Sequence, residues 1–310
     1  MNKDDKIIVT GAKGLVGSAL LECLRKEGYT ESIGLARDDC DLVDKRSCLE
    51  LFERERPKYI FHAAGRVYGI MGNMKNKALS FYDNLMINTN VVDAAHRVGV
   101  KKITVMGTGA VYPYPSPGLP LEESMIFLGE PHPAENSYAH AKRAMLAMLR
   151  AYEESYGLEW AYIVSCNLFG PRDKFDTEFG HVIPSLIKKF YDAKHKGEYV
   201  VVWGDGSSQR DFMYVKDTAR VGVAIMQGIK GAVNIGSGTV YSIREIVMLI
   251  ADIAGMADRI VWDSTKPNGQ DYRAYNLSKI DSIGFKCQYS IRQGIEQTWS
   301  WYCKHAGNGL

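Results

Sequence analysis

No apolar run in this 310-residue sequence approaches the roughly 20 residues needed to span a bilayer. The opening Met1-Asn2-Lys3-Asp4-Asp5-Lys6 runs into a strand without the apolar core of a signal peptide, so a soluble, cytoplasmic protein is expected. An excess of one charge is missing too. The 38 lysines and arginines against 36 acids leave a formal net charge of +2, too little to point to nucleic acid or an anionic membrane surface. Cysteine is sparse and scattered, at 23, 40, 48, 166, 287 and 303. No CxxC pair occurs, so the spacing suggests neither a disulfide framework nor a metal site, and reduced thiols are expected. Repeats and low-complexity segments are absent, and the one proline-rich stretch, Tyr112 to Pro117, reads as a loop over a sheet edge. What remains is an ordinary globular composition, 46% hydrophobic and 24% charged, on a chain long enough for one large domain or two lobes sharing a core.

The apolar pattern alternates. Ile7 to Thr10, Ser32 to Ala36, Tyr59 to Ala64 and Lys102 to Met106 read as strands. Helical spacing fills Ser18 to Lys26, Lys45 to Arg56, Phe81 to Val98 and Asn136 to Tyr156. Strand and helix in turn predict an α/β fold of the Rossmann type, a doubly wound parallel sheet covered on both faces. Beyond about residue 170 the alternation loosens, with a turn at Gly170-Pro171-Arg172-Asp173 and a helix around Ile183 to Ala193. A strand at Tyr199 to Trp203, another at Ala232 to Ile235 and a helix from Ile243 to Ala254 follow. The expected organisation is a dinucleotide-binding domain over 1–170, with returning segments about 200–235, and a smaller α/β lobe built mainly from 171–310 and interleaved with it.

The first strand enters Gly11-Ala12-Lys13-Gly14-Leu15-Val16-Gly17 and then a helix. Glycines there let a pyrophosphate approach bare backbone, and the helix N-terminus supplies N–H groups and the positive end of its dipole. GxxGxxG alone is weak; strand before and helix after are the context that gives it weight. The alternative is a glycine-rich turn without a ligand. At the end of the second strand, Arg37 precedes Asp38 and Asp39. Arg37 and Lys13 could meet a ribose 2′-phosphate, which favours NADP over NAD, though Arg37 could equally be a surface residue. Asp41 and Leu42 follow at a distance that could reach an adenine. Ala63-Ala64-Gly65 end a strand with small residues where a cofactor would pass.

Carbonyl reduction needs a proton donor, and a tyrosine serves at neutral pH only beside a cation that stabilises its phenolate. Tyr138 and Lys142 fall on one helix face, one turn apart, and the Thr108 hydroxyl at a strand end could hold the carbonyl oxygen. Tyr275 to Lys279 repeats the YxxxK spacing but lies beyond the parallel strands without such a hydroxyl shortly before it, and reads as coincidence. The bland alternatives are an ion-pairing surface helix for Tyr138 and Lys142 and a capping role for Thr108.

With Tyr112-Pro113, Asn167-Leu168-Phe169-Gly170-Pro171, Gly180 to Pro184, Val201 to Gly206, Arg210-Asp211-Phe212 and Lys266-Pro267-Asn268-Gly269, these motifs resemble the extended short-chain dehydrogenases, and among them the GDP-L-fucose synthases, over nearly the whole chain. The resemblance implies NADPH and a homodimer built on two long helices. It further implies that Asn167, Leu168 and His181 line the cofactor. A GDP-sugar site would use Thr108, Asn167, Val182, Lys189, Trp203, Arg210 and Arg273. Arginines suit a diphosphate and tryptophan an apolar sugar or base face.

One departure matters. Where the family carries two serines and a cysteine before its Tyr-Pro pair, this chain has Thr108, Gly109 and Ala110. In the family the cysteine works with a histidine, matched here by His181, to epimerise C3 and C5. Epimerisation beside a ketone needs two positioned proton-transfer groups, and alanine cannot be one. The expectation is an NADPH-dependent C4 reductase of a GDP-4-keto-6-deoxy sugar, hexose or heptose, lacking the epimerase activity. The alternatives are a bifunctional epimerase/reductase using His181 with another residue, and a non-catalytic NADP-binding sensor or scaffold.

Overall fold

The computed structural model describes residues 1–177, 180–266 and 272–306. Its main sheet is assembled from short, almost wholly buried runs, as expected when helices cover both faces of a parallel sheet. Ile7–Thr10 (β1) leads to helix Leu15–Lys26 (α1), Ser32–Leu35 (β2) to Lys45–Glu55 (α2), and Tyr59–His62 (β3) to Ile70–Lys75 (α3) and Lys77–Arg97 (α4). Lys102–Met106 (β4) is followed by Asn136–Tyr156 (α5) and Glu159–Ser165 (β5). Helix α4 begins four residues ahead of the apolar periodicity because its first turn is solvent-facing, with Leu79 exposed. It packs against α5 across one face of the sheet.

The second half leaves this sheet and comes back to it. Asn167–Phe169 (β6), Val182–Lys196 (α6), Val200–Trp203 (β7) and Gln209–Tyr214 (β8) precede Val215–Gly228 (α7) and Gly231–Ile235 (β9). Val240–Ser242 (β10), Ile243–Ala254 (α8), Ile260–Asp263 (β11), Tyr272–Arg273 (β12), Ser278–Ser282 (α9) and Ile291–His305 (α10) complete the described elements. The main sheet runs β2-β1-β3-β4-β5-β9, every pairing parallel, and α7 lies on α1 on the face opposite α4 and α5. The smaller lobe holds β8 between β10 and β12, with β6 also paired to β8, and the separate pair β7-β11. In β7 the two-residue period is plain: Val200 and Val202 are buried, Val201 and Trp203 exposed. Helix α8 starts from a capping box in which Ser242 and Glu245 satisfy each other's backbone N–H groups.

Two apolar clusters follow from this winding. One, under α2, α4 and α5, includes Phe52, Ile103, Leu146 and Tyr162. The other runs from β1 and α1 through α7 into the smaller lobe, joining Val9, Leu24, Val223, Phe190 and Ile250. Open α/β sheets place their ligands at the carboxyl ends of their strands, here the ends that lead into Gly11, Ala36, Ala63 and Gly107. No helix among the described residues is long and apolar enough to cross a membrane.

Candidate active site

The turn after β1 is shaped for bare backbone. Gly11 has φ of 72°, and a Cβ there would sit 2.8 Å from the Ala64 nitrogen and 2.9 Å from the Ala63 carbonyl carbon. A Cβ on Gly17 would overlap the Gly11 carbonyl. Glycine is thus required at both positions, one by its left-handed conformation and both by contact. Gly14 is the N-cap of α1, so Leu15 and Val16 open the helix with N–H groups that have no partner within it. Beneath the turn, the Thr10 hydroxyl accepts from the Ala64 N–H at 3.1 Å and bonds His62 Nδ1 at 2.8 Å. His62 Nε2 meets Asn88 Oδ1 at 3.1 Å. Since the threonine oxygen already accepts one bond, its proton goes to Nδ1 and the histidine carries its own on Nε2. Burial, with the Lys142 charge, pulls His62 down to about 3, so the ring is a neutral strut for the cradle. Sequence reading passed over Thr10, His62 and Asn88; a strand-end threonine with a histidine at the matching end of a neighbouring strand was the available signal.

The cations expected to read a 2′-phosphate stand at the rim, already opposed by acids. Lys13 Nζ lies 2.5 Å from Asp38, and Arg37 lies 3.9 Å from Asp41, all exposed. The Asp38 hydrogen bond raises the Lys13 pKa. Asp39 accepts from the Ala36 N–H and closes the strand end. Asp41 also accepts from the Val43 N–H, while Leu42 is buried and its carbonyl accepts from Asn90. Asp41 is thus placed by Arg37 and its own turn. Gly65 lies 3.8 Å, measured from an ideal Cβ, from Lys142 Nζ, so the small residues after β3 pass directly over the lysine.

Tyr138 and Lys142 come together on α5 as their spacing predicts. Lys142 Nζ donates to the Met106 carbonyl at 2.9 Å and stands 5.9 Å from the Tyr138 ring centre. Burial lowers the lysine to about 8. The phenol behaves differently from the sequence argument: burial, and then the Glu135 carboxylate, push Tyr138 well above its ordinary value. Desolvation outweighs a cation nearly 6 Å away, so in this state the group is a firmly protonated donor. Thr108 caps the short 3-10 turn Gly109–Val111, its oxygen accepting from the Ala110 N–H at 3.2 Å. Accepting that bond leaves the hydroxyl its own proton to donate. Ala110 is buried beside it.

His181 is the N-cap of α6, with Nδ1 3.5 Å from Asp173. Burial opposes its charge, but the Asp173 hydrogen bond and the Asp173 and Glu135 charges outweigh it and raise the pKa. Although the ring is 46% exposed at its surface, burial is the largest single influence on it, and it takes Asp173 and Glu135 together to overcome it. Glu135 thus acts on Tyr138, His181 and Arg273 together. It was missed in the sequence because nothing marks an acid just before a helix as part of a site.

In the smaller lobe, Val182 opens α6 and is exposed. Lys189 reaches the Val201 carbonyl at 3.3 Å and lies 5.4 Å over the exposed Trp203 ring, with Lys266 at 5.9 Å. Of the motif beginning at Lys266, residues 267–269 lie outside the described residues. Arg210 and Arg273 are register partners on the parallel strands β8 and β12. Arg210 Nη1 donates to the Gln209 carbonyl at 2.6 Å, and Arg273 is bonded to Tyr275 and faces Glu135. Asn167 donates to the Asp211 carbonyl at 3.1 Å, and Leu168 follows it on β6. The buried Asp211 carboxylate accepts from the N–H groups of Ser237 and Gly238 and ties the two lobes. Lys279 turns away to the Ala232 carbonyl, so the second YxxxK is no tyrosine–lysine pair, although Tyr275 itself reaches Gly109.

Residues 7–236 match the NAD dependent epimerase/dehydratase family. GDP-L-fucose synthase 1 of Arabidopsis thaliana is 37% identical over 310 residues, spanning 99% of this chain and 96% of its own. A GDP-6-OMe-4-keto-L-xylo-heptose reductase from C. jejuni superposes with a TM-score of 0.92 at 29% identity, covering 98% of this chain and 99% of that one. The GDP-mannoheptose C4 reductase from Campylobacter jejuni, solved with NADP bound, gives 0.88 at 31% identity and the same coverage.

Proposed function

Given that the chain belongs to the NAD dependent epimerase/dehydratase family, we propose that it reduces the C4 keto group of a GDP-4-keto-6-deoxy sugar, hexose or heptose, without epimerising it. It is an NADP-dependent oxidoreductase, as its relatives are. The observation that carries the finer reading is the contrast at one strand end: Thr108, Tyr138 and Lys142 form a complete reducing set, while Ala110 stands where the relatives' chemistry would need a second proton-transfer group.

The dinucleotide fits what is present. Gly11, Gly14 and Gly17 leave the backbone bare, the N–H groups at the start of α1 would hold the pyrophosphate, and Lys13 and Arg37, now on Asp38 and Asp41, would hold the 2′-phosphate. When bound, NADPH supplies hydride to the carbonyl carbon. Thr108 keeps its proton and donates only a hydrogen bond to the carbonyl oxygen, fixing its position. Tyr138, kept protonated by burial, delivers its phenolic proton as charge develops there, and Lys142 one turn along stabilises the phenolate left behind. The lysine's bond to Met106 holds the ammonium in place throughout. Arg210 and Arg273 neutralise the diphosphate, and Trp203 with Lys189 presents an apolar and cationic face to the remainder. Two copies pair through α4 and α5, whose exposed Leu79, Phe81, Tyr82 and Tyr156 supply apolar contact area.

A second reading retains epimerisation through His181, whose link to Asp173 raises its pKa and keeps it competent to move a proton. The test is a panel of enzymatically generated GDP-4-keto sugars assayed by loss of NADPH absorbance. Turnover with none of them, under conditions where NADPH binds, would overturn the reductase reading and leave the sensor alternative.

A further inference from the structure

Gly109 follows the Thr108 hydroxyl directly, so its Cα lies about 3.8 Å from that of Thr108. It is buried, and its φ is not in the left-handed region, so conformation does not demand glycine. Space does. An added Cβ would overlap the Tyr275 hydroxyl and stand 3.2 Å from both Arg273 Nη1 and the Ser165 carbonyl. The phenol therefore rests on the bare backbone of residue 109.

It cannot swing aside cheaply. The Leu121 N–H donates to the Ala274 carbonyl and the Asn276 N–H to the Leu121 carbonyl, each at 2.9 Å, pinning the chain on both sides of Tyr275. The ring is buried and tilted against Tyr112 with centres 6.1 Å apart, and Tyr112 is itself bonded to Asn234 at 2.6 Å. The Arg273 guanidinium donates to the Tyr275 oxygen. Burial, opposed by Arg273, holds the phenol up at about 12, so it keeps its proton. A hydroxyl that already accepts from an arginine has that proton left to give. Arg273 in turn faces Glu135, the acid that also acts on Tyr138, so the phenol and the proposed proton donor share one neighbourhood.

The geometry points to Tyr275 as a substrate-contacting, specificity-determining residue: seated on Gly109 and oriented by Arg273, it donates a hydrogen bond to a sugar oxygen beside the reacting carbonyl. Gly109 and Tyr275 act as a pair, the glycine existing to admit the phenol. This rests on the reading of the protein as a keto-sugar reductase and adds to it the group that selects the sugar. No proton leaves Tyr275 during the reaction; it binds.

The test is a double-mutant cycle of Tyr275→Phe and Gly109→Ala, measured with the keto sugar that the wild type reduces. Phenylalanine keeps the ring and removes only the oxygen. It should raise KM for the sugar about 10-fold, the upper range for one hydrogen bond, with kcat changed less than about threefold and NADPH affinity unchanged, the pattern of lost uniform binding. Alanine at 109 should displace the phenol and give a similar rise. Alanine should then cost little further in the phenylalanine background, because the severe overlap is with the missing oxygen and the 3.2 Å contacts to Arg273 and the Ser165 carbonyl need only small adjustments. An unchanged KM for Tyr275→Phe, or losses that multiply in the double variant, would overturn the assignment. Calorimetry supplies a readout independent of turnover. Tyr275→Phe should weaken GDP-mannose but leave GDP alone unaffected, and equal GDP-mannose binding in both proteins counts against the contact. Failure of the wild type to oxidise NADPH with any keto sugar strikes the reductase reading instead, and the binding comparison still decides the role of Tyr275.

Discussion

Lys142→Met exchanges a buried ammonium for an apolar chain of similar length. Its consequences are set by one quantity, the fall of the lysine from 10.5 to about 8 through burial. A protonated lysine so placed weighs against folding by about 3 kcal/mol at pH 7, at roughly 1.4 kcal/mol for each pKa unit. The sign follows from proton counting. Between pH 8 and 10.5 the unfolded chain still holds a proton that the folded one has released, so folded stability rises with pH across that window. By pH 9.5 the penalty is down to about 1.4 kcal/mol. The wild type should therefore gain about 2 kcal/mol relative to Lys142→Met between pH 7 and 9.5. The Met106 carbonyl, left without its donor in the variant, adds a pH-independent loss that cancels in the comparison, as do the other titrating groups. Urea unfolding of both proteins without cofactor, followed by circular dichroism at intervals over this range, reads the difference directly. Parallel stability curves would refute the picture of a buried, charged lysine. The same group sets an activity limit: kcat/KM should fall as pH rises through about 8 and Lys142 loses its proton.

Tyr138→Phe should lower turnover by about 100-fold or more, the scale of general acid catalysis, with NADPH binding retained by fluorescence titration; near-normal activity removes it as proton donor. Arg37→Ala should weaken NADPH much more than NADH, since only the former carries the 2′-phosphate; equal losses would show that Arg37 does not read it. Run in deuterated water with fresh substrate and a no-enzyme control, the reaction should leave no enzyme-dependent label at C3 or C5. Labelled, inverted carbon at either position restores the bifunctional reading.

The alternating half of the fold was legible because each buried parallel strand is a compact apolar run and each covering helix an amphipathic one. Helix α5 is predicted to the residue, since Gly157 ends it in the left-handed conformation. The start of α4 was hidden because Leu79 faces solvent and breaks the periodicity. In the site, YxxxK and the glycine turn could be read because their spacing is local. What could not be read lies across the chain. Tyr275 meets Gly109 over 166 positions of sequence, and nothing local distinguishes a tyrosine filling a glycine's space from one in a core. Nor could spacing reveal that burial would outweigh the lysine at Tyr138, because desolvation depends on the whole enclosure.

Strand β9 has a consequence for synthesis. Its register on β5 pairs Ala161 with Gly231 and Ser165 with Ile235, so the edge of β5 waits for its partner while the chain between is made. At about 5 to 20 residues per second that interval is several seconds. Throughout it, Trp160 to Val164, buried in the finished protein, present an unpaired apolar edge of the kind that recruits other strands. A nascent chain halted before Gly231 should accordingly be held by chaperones or aggregate, and become protease-resistant only once β9 has emerged.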